Sequence, residues 1–330
     1  MKEINFFYLL TRIILGIILL FISCKNNINK TMSIEKPVDH KLLSAQLSKH
    51  IKKLASDIGE RNPGLYKNLE KARFYIEEQL KNENLLHYNQ GYSVNNHQFY
   101  NLVYEKKGES EKLPLIIIGA HYDSAPGTPG ADDNATGVSA LIEIAKKFSN
   151  ITSTKHTIRF VFFTLEEPPF FKTEDMGSIR YSNFIKSKKE KVRFMLCLEM
   201  LGFFSEKTIQ EYPLNLMRLY YPDKANFIGI VGSYGYSSIT KKFYRIFQKE
   251  NPLKSEVLIA PQFLTGVDFS DHASFWKNDY PAFMITDTAF YRNKNYHEVT
   301  DTPDTINYET LAIVTNSIFK TIAKMDQNEK

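Results

Sequence analysis

Two hydrophobic periodicities alternate along the chain. In "LLSAQLSKHIKKLAS" and again in "LYKNLEKARFYIEEQLKN", apolar positions fall three and four apart, which predicts helices between residues 39 and 82. "GERNPG" breaks them apart. "HQFYNLVYEKKG" alternates as a strand does. "LPLIIIGAHYD" and "HTIRFVFFTLEEPP" are continuous apolar runs, the pattern of strands buried on both faces, and "VRFMLCLEM" is a further strand. "TGVSALIEIAKKFSN" and "GSIRYSNFIKSK" carry helical spacing between them. The second half repeats the alternation. "ANFIGIVGS", "EVLIA" and "YPAFMITD" read as strands, and "SSITKKFYRIFQKEN", "SDHASFWKND" and "NYETLAIVTNSIFKTIAKM" as helices. Alternating strands and helices predict an α/β fold: a three-layer α/β/α sandwich with a mixed, largely parallel central sheet, one domain over residues 39–330.

The first residues follow neither period. Lys2 and Arg12 precede an apolar run over residues 13–22, and Ser23, Cys24 and Lys25 follow. A charged head, a short apolar segment and a small residue form the layout of a secretory signal peptide, here residues 1–24. Cys24 directly after Ser23 makes it resemble a bacterial lipoprotein signal, in which the cysteine is lipidated. An uncleaved anchor over residues 6–22 is the alternative, although that stretch is short for a span and holds Arg12. Residues 25–38 read as a polar tether. The expectation is an exported, membrane-anchored lipoprotein of a bacterial cell envelope.

Composition narrows the function less than it narrows the class. Apolar residues make up 43% of the 330 and charged residues 24%, as in a globular protein. The net charge of +5 is dispersed over helical stretches and tails, without a compact basic stripe, so no nucleic-acid partner is expected. The two cysteines, Cys24 and Cys197, lack CxxC partners. Cys197 lies inside an apolar strand and reads as a small buried hydrophobe.

The chemistry sits where the strands stop. His121 and Asp123 end one strand and, two residues apart, point to the same face. Asp132 and Asp133 follow in the next loop, within "PGADDNATG". Glu166 and Glu167 end another strand, Glu199 a third, and the loop after "FMITD" carries His297 and Asp301. Unpaired charges at the mouth of a buried sheet are costly, and a cation among them removes that cost. Two histidines and three carboxylates fit zinc, one carboxylate bridging two open sites. Asp123 is placed to orient the ring of His121, and Asp301 that of His297.

These motifs in this order resemble the di-zinc aminopeptidases of peptidase family M28. "AHYDS", "PGADDNATG", the "EE" pair, "LEM", "SDHASFW" and "YHEVTDT" carry the resemblance over about residues 113–324. "EEPPFFKTEDMGS" further resembles a secreted bacterial branch of the family. The resemblance implies a zinc exopeptidase-like fold and two zinc ions per chain. It implies that His121 and Glu199 bind one zinc, that Glu167 and His297 bind the other, and that Asp133 bridges them. Glu166 would then be the general base, and the Asp133–Asn134 peptide would be cis. At the position of Glu199 the family often has Asp. Some relatives place a Tyr shortly before "SDH" to help hold the tetrahedral intermediate; Val267 and Asp268 stand there instead, leaving Tyr291 or Tyr296 for that role.

Other residues carry less. His272 lies near the motifs without matching a ligand position, and Ser270 reads as the N-cap of its helix. His50, His87, His97 and His156 have no partner motif. Phe170, Phe171 and Met176 suit either a side-chain pocket or the core. The functional expectation is an aminopeptidase acting on peptides with a free N-terminus. Two alternatives are a glutaminyl cyclase-like aminoacyltransferase using a single zinc, and a non-catalytic binding protein on the same scaffold.

Overall fold

A computed structural model describes residues 40–327; the expected signal peptide, Cys24 and the tether lie outside these residues. Its eight-stranded sheet has the order β1-β2-β4-β3-β5-β8-β6-β7. The strands are β1 (Leu86–Val94), β2 (His97–Lys106), β3 (Leu115–His121), β4 (Ile158–Phe163), β5 (Val192–Glu199), β6 (Phe227–Ser233), β7 (Lys254–Ala260) and β8 (Ala282–Thr286). The centre, β4-β3-β5-β8, is parallel. β2 joins β4 antiparallel and β1 joins β2 antiparallel. At the other side β6 runs antiparallel to β8 and β7 parallel to β6. The expected mixed, largely parallel α/β architecture is present.

Helices cover both faces, which explains the unbroken apolar runs. In β3, Ile116, Ile118 and Ala120 enter the larger core while Ile117 enters the smaller one. β5 divides the same way, with Phe194, Leu196 and Leu198 against Met195 and Cys197. The larger core lies under α1 (His40–Lys52), α3 (Gly137–Ser149), α5 (Ser237–Glu250) and α7 (Tyr308–Gln327), with α2 (Tyr66–Leu80) beside them. The smaller core lies under α4 (Gly177–Ser187) and α6 (His272–Trp276). Cys197 is fully buried there. The early helices are packing elements: α1 lies on α7 and α3, and His50 bonds Tyr75 of α2 at 2.7 Å and Glu143 of α3 at 3.0 Å.

β1 has no counterpart in the sequence reading. "LHYNQGYSV" is mostly exposed and shows no apolar face. It is a strand because it pairs along its whole length with β2, from Leu86↔Glu105 to Val94↔His97. The two-residue turn Asn95-Asn96 has positive φ at both positions, 49° and 65°. That conformation matches the twist of a tight hairpin, and asparagine tolerates it. Among the described residues no helix is long and apolar enough to cross a membrane.

Candidate metal centre

The carboxyl ends of β3, β4, β5 and β8 open onto one place, as the topology of an open α/β sheet requires. β3 delivers His121 and β5 delivers Glu199 as their last residues. Beyond β4, Leu165 at φ 57° turns the chain just before Glu166, and Met200 at φ 46° turns it just after Glu199. His297 itself has φ 58°. Left-handed non-glycine residues are uncommon and gather at functional sites. The peptide Asp133–Asn134 is cis.

Asp133 divides its carboxylate between two imidazoles. Oδ1 lies 3.4 Å from His121 Nε2, and Oδ2 lies 3.2 Å from His297 Nε2. Glu199 Oε2 stands 3.3 Å from His121 Nε2, and Glu167 Oε2 3.1 Å from His297 Nε2. Three donor groups result: His121–Asp133–Glu199 and Asp133–Glu167–His297, which share Asp133, and His121–Glu166–Glu167, the ligand atoms of each within 4.8 Å of one another. Glu166 reaches the same junction, its Oε2 3.9 Å from His121 Nε2, too far for a hydrogen bond.

The donor atoms converge without satisfying one another. His297 Nε2 and Glu167 Oε1 are buried and make no hydrogen bond. Buried polar atoms are almost always paired, so such a group calls for another partner, and imidazole with carboxylate is a donor set that zinc takes. The charges agree. Burial raises the carboxyls of Glu166 and Glu199, and lifts Glu167 to about 7. Burial also works to raise Asp133, but the close imidazoles of His121 and His297 hold it below the usual carboxylate range. For His297 burial favours loss of the proton, yet Asp133 and Glu167 outweigh it and raise the ring to about 10.

Behind the triads, polar side chains fix the ligand-bearing backbone. Of the two acids expected to orient the rings, Asp123 faces His121 Nδ1, whereas Asp301 does not contact His297. Asp123 Oδ1 lies 3.6 Å from His121 Nδ1, beyond hydrogen-bond range, and its carboxylate accepts from the amides of Glu166 (3.2 Å) and Glu167 (3.1 Å). Asp301 makes no bond to His297; it accepts from the amides of Asp132 (2.9 Å) and Asp133 (3.1 Å). A charge that accepts two adjacent amides holds a loop more strongly than one ring bond would. Asp132 is a loop holder as well, accepting from Gly202 N at 2.9 Å and Asn293 Nδ2 at 2.8 Å.

Three residues have roles at the site that the sequence did not show. Asn134 brackets Glu199: its Nδ2 donates to Leu198 O at 2.9 Å and its Oδ1 accepts from Met200 N at 3.2 Å. Ser270 is not an N-cap. Asp271 precedes α6 without a side-chain cap, and the Ser270 hydroxyl donates to Glu199 Oε2 at 2.6 Å. Arg61, in the "GERNPG" break, is fully buried. It donates to the carbonyls of Tyr122 (2.9 Å), Pro129 (2.5 Å) and Gly130 (2.7 Å). Burial lowers its guanidinium to about 10 against the opposing pull of Asp301, Asp123, Asp133 and Glu167. Gly130 beside it has φ 63°, and a Cβ there would meet Asp133 O at 2.4 Å, so glycine is required.

His272 stays out of the cluster: its Nε2 donates to Val267 O at 2.8 Å and its ring meets Trp276 edge-on at 4.7 Å. Tyr291 donates to Thr265 O at 2.9 Å. Tyr296 stacks on His297 with ring centroids 3.9 Å apart. A chamber of about 280 Å³ opens from Asp133, Glu166, Glu167, Glu199 and His297 over the β8-β6-β7 part of the sheet. Phe171 lines it; Met176 is a core residue.

The model for peptidase family M28 matches residues 101–322. An uncharacterized protein of Escherichia coli (strain K12), YfbL, is 36% identical over 282 residues, 83% of this chain and 85% of that protein. Among solved structures, BSAP, a zinc aminopeptidase from Bacillus subtilis, has TM-score 0.70 at 15% identity, covering 90% of this chain and 97% of that one. A glutaminyl cyclase from Porphyromonas gingivalis has TM-score 0.65 at 16% identity, covering 86% and 98%. At such identities these two structures speak for the fold. The chain belongs to peptidase family M28, and it is a hydrolase of the metallopeptidase class.

Proposed function

We propose that this protein is a zinc-dependent aminopeptidase that hydrolyses the N-terminal residue from peptides. The observation that carries the reading is the divided carboxylate of Asp133, which faces His121 with one oxygen and His297 with the other. Two cations would be held there, one by His121 and Glu199, the other by Glu167 and His297, with Asp133 shared. Zinc, when bound, supplies Lewis-acid polarisation of the carbonyl and a water acidified toward neutral pH.

The chain's own residues do the rest. Glu166 takes a proton from the attacking water as its oxygen bonds to the carbonyl carbon. It delivers that proton to the departing amine as the C–N bond breaks. Glu166 suits this role because it stands at the junction of the triads and lines the chamber. Tyr296 is the donor we assign to the carbonyl oxygen. Burial, then the nearby carboxylates, hold its phenol proton well beyond the ordinary range. The apolar chamber receives the first side chain, with Val231, Leu258 and Met284 on its floor.

The test compares one peptide with its N-terminus free and acetylated, in zinc, after chelation and after zinc is restored. Cleavage confined to the free peptide, lost to the chelator and regained with zinc, is expected. Equal cleavage of both forms would sink the aminopeptidase reading. One alternative is compatible with the shared fold, a single-zinc aminoacyltransferase, although the intact His121–Glu199 pair argues against it. Zinc near one per chain with cyclisation of N-terminal glutamine would establish it. We also infer lipid anchoring at Cys24; Cys24→Ala should move the protein from the membrane to the soluble fraction.

A further inference from the structure

On the side of the centre away from the apolar chamber lies a second, more open groove of about 650 Å³. Pro168 lines both cavities, and it directly follows Glu167. The backbone also joins groove and centre, since Phe170 N donates to Glu167 O at 3.0 Å. We propose that this groove holds the part of the peptide downstream of the cleaved bond, and that it selects oligopeptides over dipeptides. The proposal rests on the aminopeptidase reading.

The shape is that of a path. An enzyme that removes one terminal residue needs a closed end for that residue and an open end for the remaining chain. The chamber over β8-β6-β7 is the more enclosed end. The groove continues from Pro168 between two walls that are built before any ligand arrives. One wall is the turn ahead of α2, where Asn62 Oδ1 accepts from Gly64 N (3.0 Å) and Leu65 N (3.3 Å). The other is the tip of the β1-β2 hairpin. Tyr66 ties the walls together: its hydroxyl donates to Gln98 O at 2.7 Å and its ring meets that of His97 at 4.9 Å. A preformed wall costs less ordering on binding.

The lining decides the substrate length. Leu65, Val94, Phe99, Pro169 and Phe170 offer apolar surface to side chains. No lysine or arginine is among the lining residues, and the acid present is Glu60. A dipeptide would bring its free carboxylate beside the centre with no cation in the groove to receive it and Glu60 to repel it. A longer peptide brings neutral amides there and carries its carboxylate outward.

The experiment measures kcat/KM of the full chain in zinc for leucyl-p-nitroanilide, Leu-Ala and Leu-Ala-Ala-Ala. The tetrapeptide should exceed the dipeptide by about ten-fold or more. Leu65→Glu should lower the ratio of tetrapeptide to anilide by about ten-fold, and Glu60→Lys should narrow the gap between dipeptide and tetrapeptide. Leu65 is 43% exposed, so the substitution spares the core. Equal values for dipeptide and tetrapeptide, or an equal loss on tetrapeptide and anilide in Leu65→Glu, overturn the groove and leave the aminopeptidase reading standing. A wild-type protein that cleaves none of the three overturns both.

Discussion

Ser270 donates its hydroxyl proton to Glu199 Oε2 at 2.6 Å, and this bond joins the start of α6 to the end of β5. It fixes one carboxylate oxygen of a Glu, a residue one methylene longer than Asp. The hydroxyl thus confines a side chain with one more rotatable bond. Ser270→Ala should weaken metal retention at the His121–Glu199 triad by about ten- to a hundred-fold, the range for removing a ligand's hydrogen-bond partner. Zinc content after dialysis against graded chelator reads this directly. Unchanged retention would show that packing alone holds Glu199.

Glu166 lies 3.9 Å from His121 Nε2; it can group with His121 and Glu167 but belongs to neither of the triads that share Asp133. Glu166→Gln should therefore keep zinc stoichiometry while kcat falls by roughly a hundred- to ten-thousand-fold. Loss of zinc along with activity would reassign Glu166 as a ligand.

Gly229 lies on the chamber floor, in register with Thr286 on β8 and Glu256 on β7. A Cβ there would come no closer than 3.4 Å to Thr286 O and 3.5 Å to Thr288 Cγ2, so a side chain fits the fold but fills the chamber. Gly229→Val should lower kcat/KM for leucyl substrates relative to alanyl ones by about ten-fold or more. A ratio that does not move would place the first side chain elsewhere.

His272 gives a pH prediction away from the triads. Burial pushes its ring down from 6.5 to about 4. The unfolded chain then takes up the proton first as pH falls. Stability is fully present above about 6.5 and is lost as pH drops toward about 4, up to ~3 kcal/mol for this group. His272→Gln retains a donor for Val267 O without the titration. Urea midpoints measured at intervals from about pH 7 to pH 4 should fall less steeply in the variant. Parallel slopes would rule out His272 as a contributor.

What could be read in advance follows from what each residue's role depends on. The central strands announce themselves because burial on both faces forces unbroken apolar runs, and His121, Glu166, Glu167 and Glu199 stand where those runs stop. β1 depends on its partner strand, so its residues carry no apolar face; the Asn95-Asn96 pair was its one local signal. Asp123 and Asp301 were noticed as acids near histidines, and Asp123 does face His121, but both also accept from backbone amides brought near by the fold, at Glu166–Glu167 and Asp132–Asp133. Sequence spacing shows which side chains can share a face and says nothing of which amides will be left to accept. Arg61 sits in a helix break for the same reason, its shorter carbonyl bonds reaching more than sixty positions away to Tyr122, Pro129 and Gly130.

Arg61 also redraws the boundary of the catalytic unit. The stretch shared with the family begins at residue 101, and every triad residue falls inside it. Yet the loop that presents Asp133 hangs from a guanidinium contributed by the preceding helical segment. A fragment trimmed to the shared stretch would expose three inward carbonyls and leave the acidic cluster without that buried positive charge. The smallest chain able to assemble this centre must therefore begin upstream of Arg61. The N-terminal segment is thus part of the scaffold of the site: its guanidinium is bonded to the loop that presents Asp133 to both histidines.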